Sequence, residues 1–263
     1  MGLAVAKALQ AKQWDLSLID VNESASGSLA SEFPNAIFTA VDVRNYDALA
    51  AAFKKTWEKF GRLDFVYANA GINEKSDFYK PAEWDPSSGA GVPDRPDFSA
   101  LDINLTGVIY TSYLGGEFMS KNKPLPDAKE TDLPYSIVIT SSCAGLYPCP
   151  SIPLYTASKH GVLGLMRSLA YVYSKRGIRV NATCPGLVRT NILSKEVMDT
   201  FPPEIMTGLD TVVGAVVSLI EDGKRNGEVV EVSGSNTYVK EMLKAPDEVM
   251  QKLMDGMTGL IQG

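Results

Sequence analysis

Short apolar stretches, each running into a polar signature and each separated from the next by a helix-length segment, constrain this chain more than any other feature of its sequence. Leu16-Ser17-Leu18-Ile19 ends in Asp20, and the stretch Ala36 to Val43 carries Asp42 near its end. Leu63 to Ala68 runs into Asn69-Ala70-Gly71, Ser136 to Thr140 into Ser141-Ser142, and Arg179 to Thr183 into Cys184-Pro185-Gly186. Glu228 to Ser233 reads as the last strand. Helices are expected over residues 2–12, 26–32, 46–60, 98–121, 155–175 and 211–220, with Gly61 and Gly177 placed to stop two of them. Leu63 to Ala68 is almost wholly apolar, as a strand buried on both faces is. Strand alternating with helix predicts an α/β chain built on a doubly wound parallel sheet. In such sheets ligands bind at the carboxyl ends of the strands, which is where the polar signatures collect.

Three segments break the rhythm. Residues 72–98, rich in proline, glycine and serine, read as a long loop insertion. Residues 188–208 read as irregular or partly helical, and a second polar loop covers 122–134. Residues 238–263 form a C-terminal extension, amphipathic around Met242, Leu243, Met250, Leu253 and Met257, which would cover the substrate pocket or a neighbouring subunit. None of these divides the chain, so residues 1–263 are read as a single domain.

Composition narrows the chemistry. Of the 263 residues 45% are hydrophobic and 21% charged, which suits one domain with a substantial core. A net charge of −6 without a Lys/Arg cluster excludes an electrostatic nucleic-acid surface. No apolar run is long enough for a bilayer, and the residues from Met1 to Lys7 lack the basic region of a signal peptide, so no membrane is expected. Cys143, Cys149 and Cys184 are an odd number without Cys-x-x-Cys spacing, which indicates reduced thiols in a cytoplasmic protein. His160 is the single histidine, so no zinc centre is expected and a Ser-His-Asp triad would rest on this one residue. Asn104-Leu105-Thr106 and Asn181-Ala182-Thr183 fit the glycosylation pattern by chance.

Tyr155 and Lys159 are four residues apart on an expected helix and so share one face. A phenol is a poor base at neutral pH, with a reference pKa of about 10, and a neighbouring ammonium lowers it. The pair can therefore exchange a proton with an alcohol or a carbonyl. Asp20 lies eighteen residues after Gly2, near the spacing between a dinucleotide loop and its ribose-binding acid. A carboxylate there accepts hydrogen bonds from the adenosine hydroxyls and repels a 2′-phosphate. Val21 and Asn22 bring no cation to offset that, so NAD is favoured over NADP.

Taken together, Asn104 in Asp102-Ile103-Asn104-Leu105-Thr106-Gly107, Ser142 thirteen residues before Tyr155, and Tyr155-Thr156-Ala157-Ser158-Lys159 resemble the short-chain dehydrogenase/reductase family over nearly the whole chain. The resemblance implies a Rossmann-like fold and a catalytic set of Asn104, Ser142, Tyr155 and Lys159. Ser142 would hydrogen-bond the reacting oxygen, and Tyr155 would carry the proton. Lys159 would depress the phenol's pKa and hold the nicotinamide ribose, and Asn104 would keep a water relay in place. It further implies that Asn69-Ala70-Gly71 braces the sheet beside the cofactor and that Asp42-Val43 contacts the adenine. Pro185-Gly186-Leu187-Val188-Arg189-Thr190 would line the nicotinamide, with Thr190 at the carboxamide. The chain is most similar to the NAD-dependent hydroxyprostaglandin-dehydrogenase-like branch, especially its fungal members, many of which sit in secondary metabolism. Ile72, Asn73, Cys143 to Pro153 and Val188 to Met206 would shape a mostly apolar pocket for an alcohol or ketone. Leu146, Tyr147, Pro148, Ile192 and Leu193 give that pocket its character. Family members form homodimers or homotetramers through the Tyr155 helix and the one before it. Leu163, Leu165, Leu169 and Val172 would face either such a partner or the sheet.

One departure stands out. Members of the family begin with a strand and a Thr-Gly-x-x-x-Gly-x-Gly turn, whereas Met1-Gly2-Leu3-Ala4 resembles only the last glycine and the helix behind it. Either the natural protein starts here, or the sequence is truncated or its start mis-called; if it is complete, a gap is expected at the centre of the sheet, with most of the pyrophosphate cradle missing. The missing glycine turn motivates a rival from another class: a redox-inactive protein of the same fold, serving as a binding or regulatory partner or as a cyclase or isomerase scaffold.

Overall fold

The computed structural model describes residues 1–24, 32–80, 87, 92, 94–123 and 133–259. The chain opens with helix α1 (Gly2–Ala11), strand β1 (Ser17–Asp20), strand β2 (Ile37–Ala40), helix α2 (Tyr46–Phe60) and strand β3 (Phe65–Ala68). A continuous helical run, α3, follows as Ser99–Leu101, a π-helical turn Asp102–Thr106, and Gly107–Met119. Strand β4 (Tyr135–Thr140) leads through a short turn, Cys143–Gly145, to helix α4 (Pro153–Ser174) and strand β5 (Ile178–Pro185). After short turns at Lys195–Met198 and Pro203–Ile205 come helix α5 (Leu209–Glu221), strands β6 (Val229–Ser233) and β7 (Asn236–Lys240), and helix α6 (Glu248–Gly259). Most of the helix expected over 26–32, and the middle of both long loops, fall outside the described residues.

Strands β3, β4, β5 and β6 pair in parallel in that order, and β7 returns antiparallel to β6. Helices cover both faces. Val5 and Leu9 of α1 pack with Val212, Val216 and Leu219 of α5 on one side of Val138. On the other side Leu49 and Phe53 of α2, Leu114 of α3 and Leu163 and Met166 of α4 pack on Ile137 and Ile139. Every residue of β4 and β5 is buried, as in a sheet shielded by helices on both faces, and polar residues among them such as Arg179 and Asn181 are hydrogen-bonded to backbone. The doubly wound reading holds.

Among the described residues β1 and β2 pair in parallel with each other and with no other strand, forming a separate two-stranded sheet. Between β1 and β3 runs a cavity of about 1280 Å³, lined by Ile19 and Leu18 on one side and Phe65 and Tyr67 on the other. The two halves are joined across it by helix packing and by side chains such as the Ser17 and Thr56 hydroxyls, 2.7 Å apart.

Local chemistry fixes the element ends. The Asn45 side chain accepts the Ala48 N–H at the start of α2, and Gly61 closes that helix at φ +70°, a left-handed conformation that glycine adopts without strain. α4 closes at Lys175 in the right-handed region, and Gly177, at φ +75°, then turns the chain into β5. The guanidinium of Arg179, 1% exposed, donates to the carbonyls of Leu219 and Ile220 and so satisfies the carbonyl end of α5. Leu163 is buried in the core cluster, whereas Leu165, Leu169 and Val172 are half-buried and pack against its edge.

Three expectations need correction. Glu228 to Ser233 is not the last strand, because β7 follows it through a two-residue turn at Gly234-Ser235. The strand expected over 36–43 shortens to Ile37–Ala40, since the chain turns once the Asp42 carboxylate takes up the Arg44 N–H. The C-terminal extension does form an amphipathic helix, α6, but Val249, Met250, Leu253, Met254 and Met257 are exposed, so it does not close over the pocket. Among the described residues no helix is long and apolar enough to cross a membrane. Asn104 and Asn181 are both wholly buried, which removes them as glycan acceptors in the folded chain.

Candidate active site

α4 begins at Pro153, whose ring suits a first helical position, and this places Tyr155 and Lys159 on the face turned toward β4 and the cavity. Tyr155 is 8% exposed and Lys159 3%. The Lys159 ammonium donates to the Thr140 carbonyl at 3.0 Å and stands 5.6 Å from the centre of the Tyr155 ring. Burial lowers the Lys159 pKa to about 8, opposed by the neighbouring Cys184 thiol. Burial likewise raises the Tyr155 phenol, with the Ser142 hydroxyl pulling the other way. The direction is opposite to the one expected from the Lys159 neighbour alone, because burial outweighs the pull of the Ser142 hydroxyl.

Ser142 follows β4 and caps the next turn, its hydroxyl accepting the Ala144 N–H at 3.2 Å. Asn104 sits in the π-helical turn of α3, a distortion that recurs at functional sites. Both ends of its side-chain amide are committed to Ile72: the oxygen accepts the Ile72 N–H at 2.9 Å and the nitrogen donates to the Ile72 carbonyl at 2.9 Å. The nitrogen also donates to the Ser158 hydroxyl at 3.2 Å. The expected water relay would have to be ordered around an amide already committed to the protein.

The cofactor candidates fall on the same cavity. Gly2, Asp20, Asp42, Val43, Asn69, Ala70, Gly71 and Thr190 line it together with Tyr155 and Lys159. Asn69 accepts the Thr140 hydroxyl at 3.2 Å, tying the end of β3 to the end of β4. A Cβ at Gly71 would crowd the Asn104 oxygen at 3.1 Å and touch the Lys159 nitrogen at 3.5 Å, so a side chain there would press on two candidate site residues. Asp20, at the exposed end of β1, accepts the Asn22 N–H at 2.9 Å. The Arg44 guanidinium beside Asp42 holds that carboxyl below its usual range. Val43 packs where a Cβ at Gly107 would otherwise intrude.

Pro185, Gly186 and Val188 do not line the cavity: Pro185 ends β5 buried, and Val188 is buried in the core with Val5, Leu9 and Val212. The Gly186 N–H donates to the Val232 carbonyl at 2.8 Å, and the Thr207 N–H donates to the Leu187 carbonyl at 2.7 Å, so this segment is pinned to β6 and to residues 206–207. The Thr190 hydroxyl accepts the Ile192 N–H. Cys143, Cys149 and Cys184 are free thiols, and burial pushes Cys184 up to about 12. His160 bonds the Thr156 carbonyl of its own helix.

Sequence reasoning gave no role to Thr140, Ser158 and Glu74 and read Ile72 only as a pocket residue, yet these four hold the named residues in place. The readable signal was at Glu74. Ile152, before α4, has no side chain able to cap it, so the helix must take its cap from elsewhere.

A family model described as short chain dehydrogenase matches residues 1–200. The chain is 36% identical over 274 aligned residues to the short-chain dehydrogenase/reductase prx7 of Penicillium rubens, covering 97% of this chain and 95% of that one. It is 31% identical over 265 residues to the human 15-hydroxyprostaglandin dehydrogenase [NAD(+)], covering 89% and 87%. Among solved structures, ElxO with NADP bound superposes with a TM-score of 0.72 at 22% identity, covering 88% of this chain and 92% of that one, a likeness of fold. With the doubly wound sheet and the Tyr155–Lys159 helix in place, these matches settle the assignment: the chain belongs to the short-chain dehydrogenase/reductase family.

Proposed function

We propose that the protein is an NAD-dependent oxidoreductase that interconverts a secondary alcohol and a ketone on a mostly apolar small molecule. The observation that carries this reading is that Tyr155 and Lys159 line the same continuous cavity as Asp20. Residues suited to each part of a dinucleotide thus share one space. Gly71 keeps side chains out of it, and the first turn of α1, without a side-chain cap, turns N–H groups toward it.

A bound nicotinamide dinucleotide supplies or accepts the hydride. The chain's own residues manage the proton. A phenol raised by burial is protonated at neutral pH and suited to giving its proton to a ketone oxygen held by Ser142. Lys159, still largely charged at neutral pH with a pKa of about 8, offsets the charge left on the phenolate. Oxidation needs the phenolate and is favoured as pH rises. Ile72 and Ile192 on the cavity wall suit an apolar substrate body. The human relative's name supports NAD, and a carboxylate at Asp20 agrees with it; the NADP in the ElxO structure belongs to that protein.

The divided sheet favours one rival, a redox-inactive protein of this fold, because the phosphate end of the cavity lacks a strand between β1 and β3. Titration with NADH and NADPH, followed by nicotinamide fluorescence, separates the two. Saturable binding that prefers NADH supports the dehydrogenase, and no binding of either supports the rival. The protein is further proposed to be cytoplasmic and a homodimer or homotetramer; a monomer by light scattering would overturn the assembly.

A further inference from the structure

α4 starts with two orphan donors. Pro153 has no N–H, and the Thr156 N–H already donates to the Ile152 carbonyl at 2.9 Å. That leaves the N–H groups of Leu154 and Tyr155, which a residue just before the helix would normally cap. Ile152 offers no side-chain acceptor. Instead both donate to one oxygen of Glu74, 80 residues away in sequence, at 2.8 Å for Leu154 and 3.1 Å for Tyr155. A carboxylate at the start of a helix also meets the favourable end of the helix dipole.

The connection continues from there. Glu74 lies two residues beyond Ile72, whose N–H and carbonyl are both held by Asn104. Asn104 donates to the Ser158 hydroxyl, and that hydroxyl donates to the Tyr155 carbonyl at 2.6 Å. The hydrogen bonds therefore close a ring that begins at the N–H of Tyr155 and ends at its carbonyl. We propose that Glu74 is a positioning residue for Tyr155: it closes this ring and fixes the backbone from which the phenol reaches the reacting oxygen. The proposal rests on the reading of Tyr155 as the proton carrier. It goes beyond that reading by assigning a role to a residue outside the catalytic set, in the loop after β3. A displacement of about 1 Å at a reacting group can cost on the order of 100-fold in rate, which is the leverage such a ring exerts.

Two variants make the idea testable. Glu74→Ala removes the acceptor. Glu74→Gln keeps one, and since the second Glu74 oxygen is buried without a hydrogen-bond partner among the described residues, the new amide nitrogen displaces no existing bond. Amide hydrogen exchange of a peptide covering residues 150–160 is expected to speed up about tenfold in Glu74→Ala and to stay near wild type in Glu74→Gln. In steady-state ketone reduction, kcat is expected to fall roughly 10- to 100-fold in Glu74→Ala, with the NADH Kd within twofold of wild type, and to recover to within about threefold in Glu74→Gln. Unchanged exchange, unchanged kcat, equal impairment of the two variants, or a parallel loss of kcat and NADH binding would each overturn the proposal. The exchange measurement needs no turnover, so it decides the role of the ring even if Tyr155→Phe proves active and the dehydrogenase reading itself fails.

Discussion

Around Tyr155 the framework is buried on both faces, residue by residue in β4 and β5, whereas β1 and β2 at the other end of the cavity are half-buried and pair with each other alone. The same contrast holds for side chains. Lys159, Asn104 and Ser158 are buried and bonded to the sheet, to a loop or to their own helix. Asp20 is exposed, and Asp42 is half-buried with its charge taken up by Arg44. The catalytic end of the cavity is thus organised by the chain's own contacts. The adenosine end depends on helices α1 and α2 to carry β1 and β2 into place. On the proposed function, the residues around Tyr155 would be held by the chain's own contacts and affinity for a dinucleotide would fall to the looser end.

The largest expected effect tests the organised end. Tyr155→Phe removes the one hydroxyl placed to exchange the proton and should lower kcat by about 100- to 10,000-fold, with NADH binding retained. A variant that turns over normally would remove the chemistry from this residue. Next comes stability. Ile139→Ala in β4, at 0% exposure, should cost about 2–5 kcal/mol in urea unfolding. Ile19→Ala in β1 borders the cavity and should cost less than about 2 kcal/mol, because part of its surface already lacks packing partners. Equal costs would mean the two regions are equally well built.

The third effect tests the looser end. Asp20→Ala should weaken NADH binding roughly 10- to 100-fold, the worth of charge-assisted hydrogen bonds of about 1.5–3 kcal/mol, while NADPH binding changes little. A parallel loss for both cofactors would show that Asp20 shapes the loop and does not select the ribose.

What could be seen in the sequence divides along the same line. Period, apolar content and stop signals placed the buried strands and the long helices, because those elements are set by burial, which sequence patterning reports directly. The division into two sheets follows from strands β1 and β2 pairing only with each other among the described residues. The π-helical turn at Asn104 left no mark, since it is a register change produced by the bonds Asn104 makes to Ile72. β7 was missed although Gly234-Ser235 is a hairpin signal; its five residues, four of them exposed, lack the apolar alternation that marks a half-buried strand. The Tyr155 phenol was expected low from one neighbour and stands high, because burial is a property of the whole fold and a pairwise spacing cannot report it.

Lys159 supplies the smallest and sharpest test of the organised end. Its folded pKa of about 8 lies below the ordinary value of 10.5, so the unfolded chain holds the proton more tightly. Keeping the ammonium charged therefore costs stability below pH 8, and that cost is relieved as pH rises from about 8 toward 10.5. From this group alone, stability should increase by about 1 kcal/mol between pH 7.5 and 9. Cys184 acts in the opposite sense: its thiol is pushed up from 9.0 to about 12, so the unfolded chain loses that proton first and stability falls as pH passes the unfolded value. The useful quantity is thus the difference between the wild type and Lys159→Met, in which the Cys184 contribution largely cancels. Urea unfolding of both at pH 7.5 and 9 should show the wild type gaining about 1 kcal/mol relative to the variant. No relative gain would mean that Lys159 reaches solvent in the free protein, and the organised end would then be less closed than its hydrogen bonds imply.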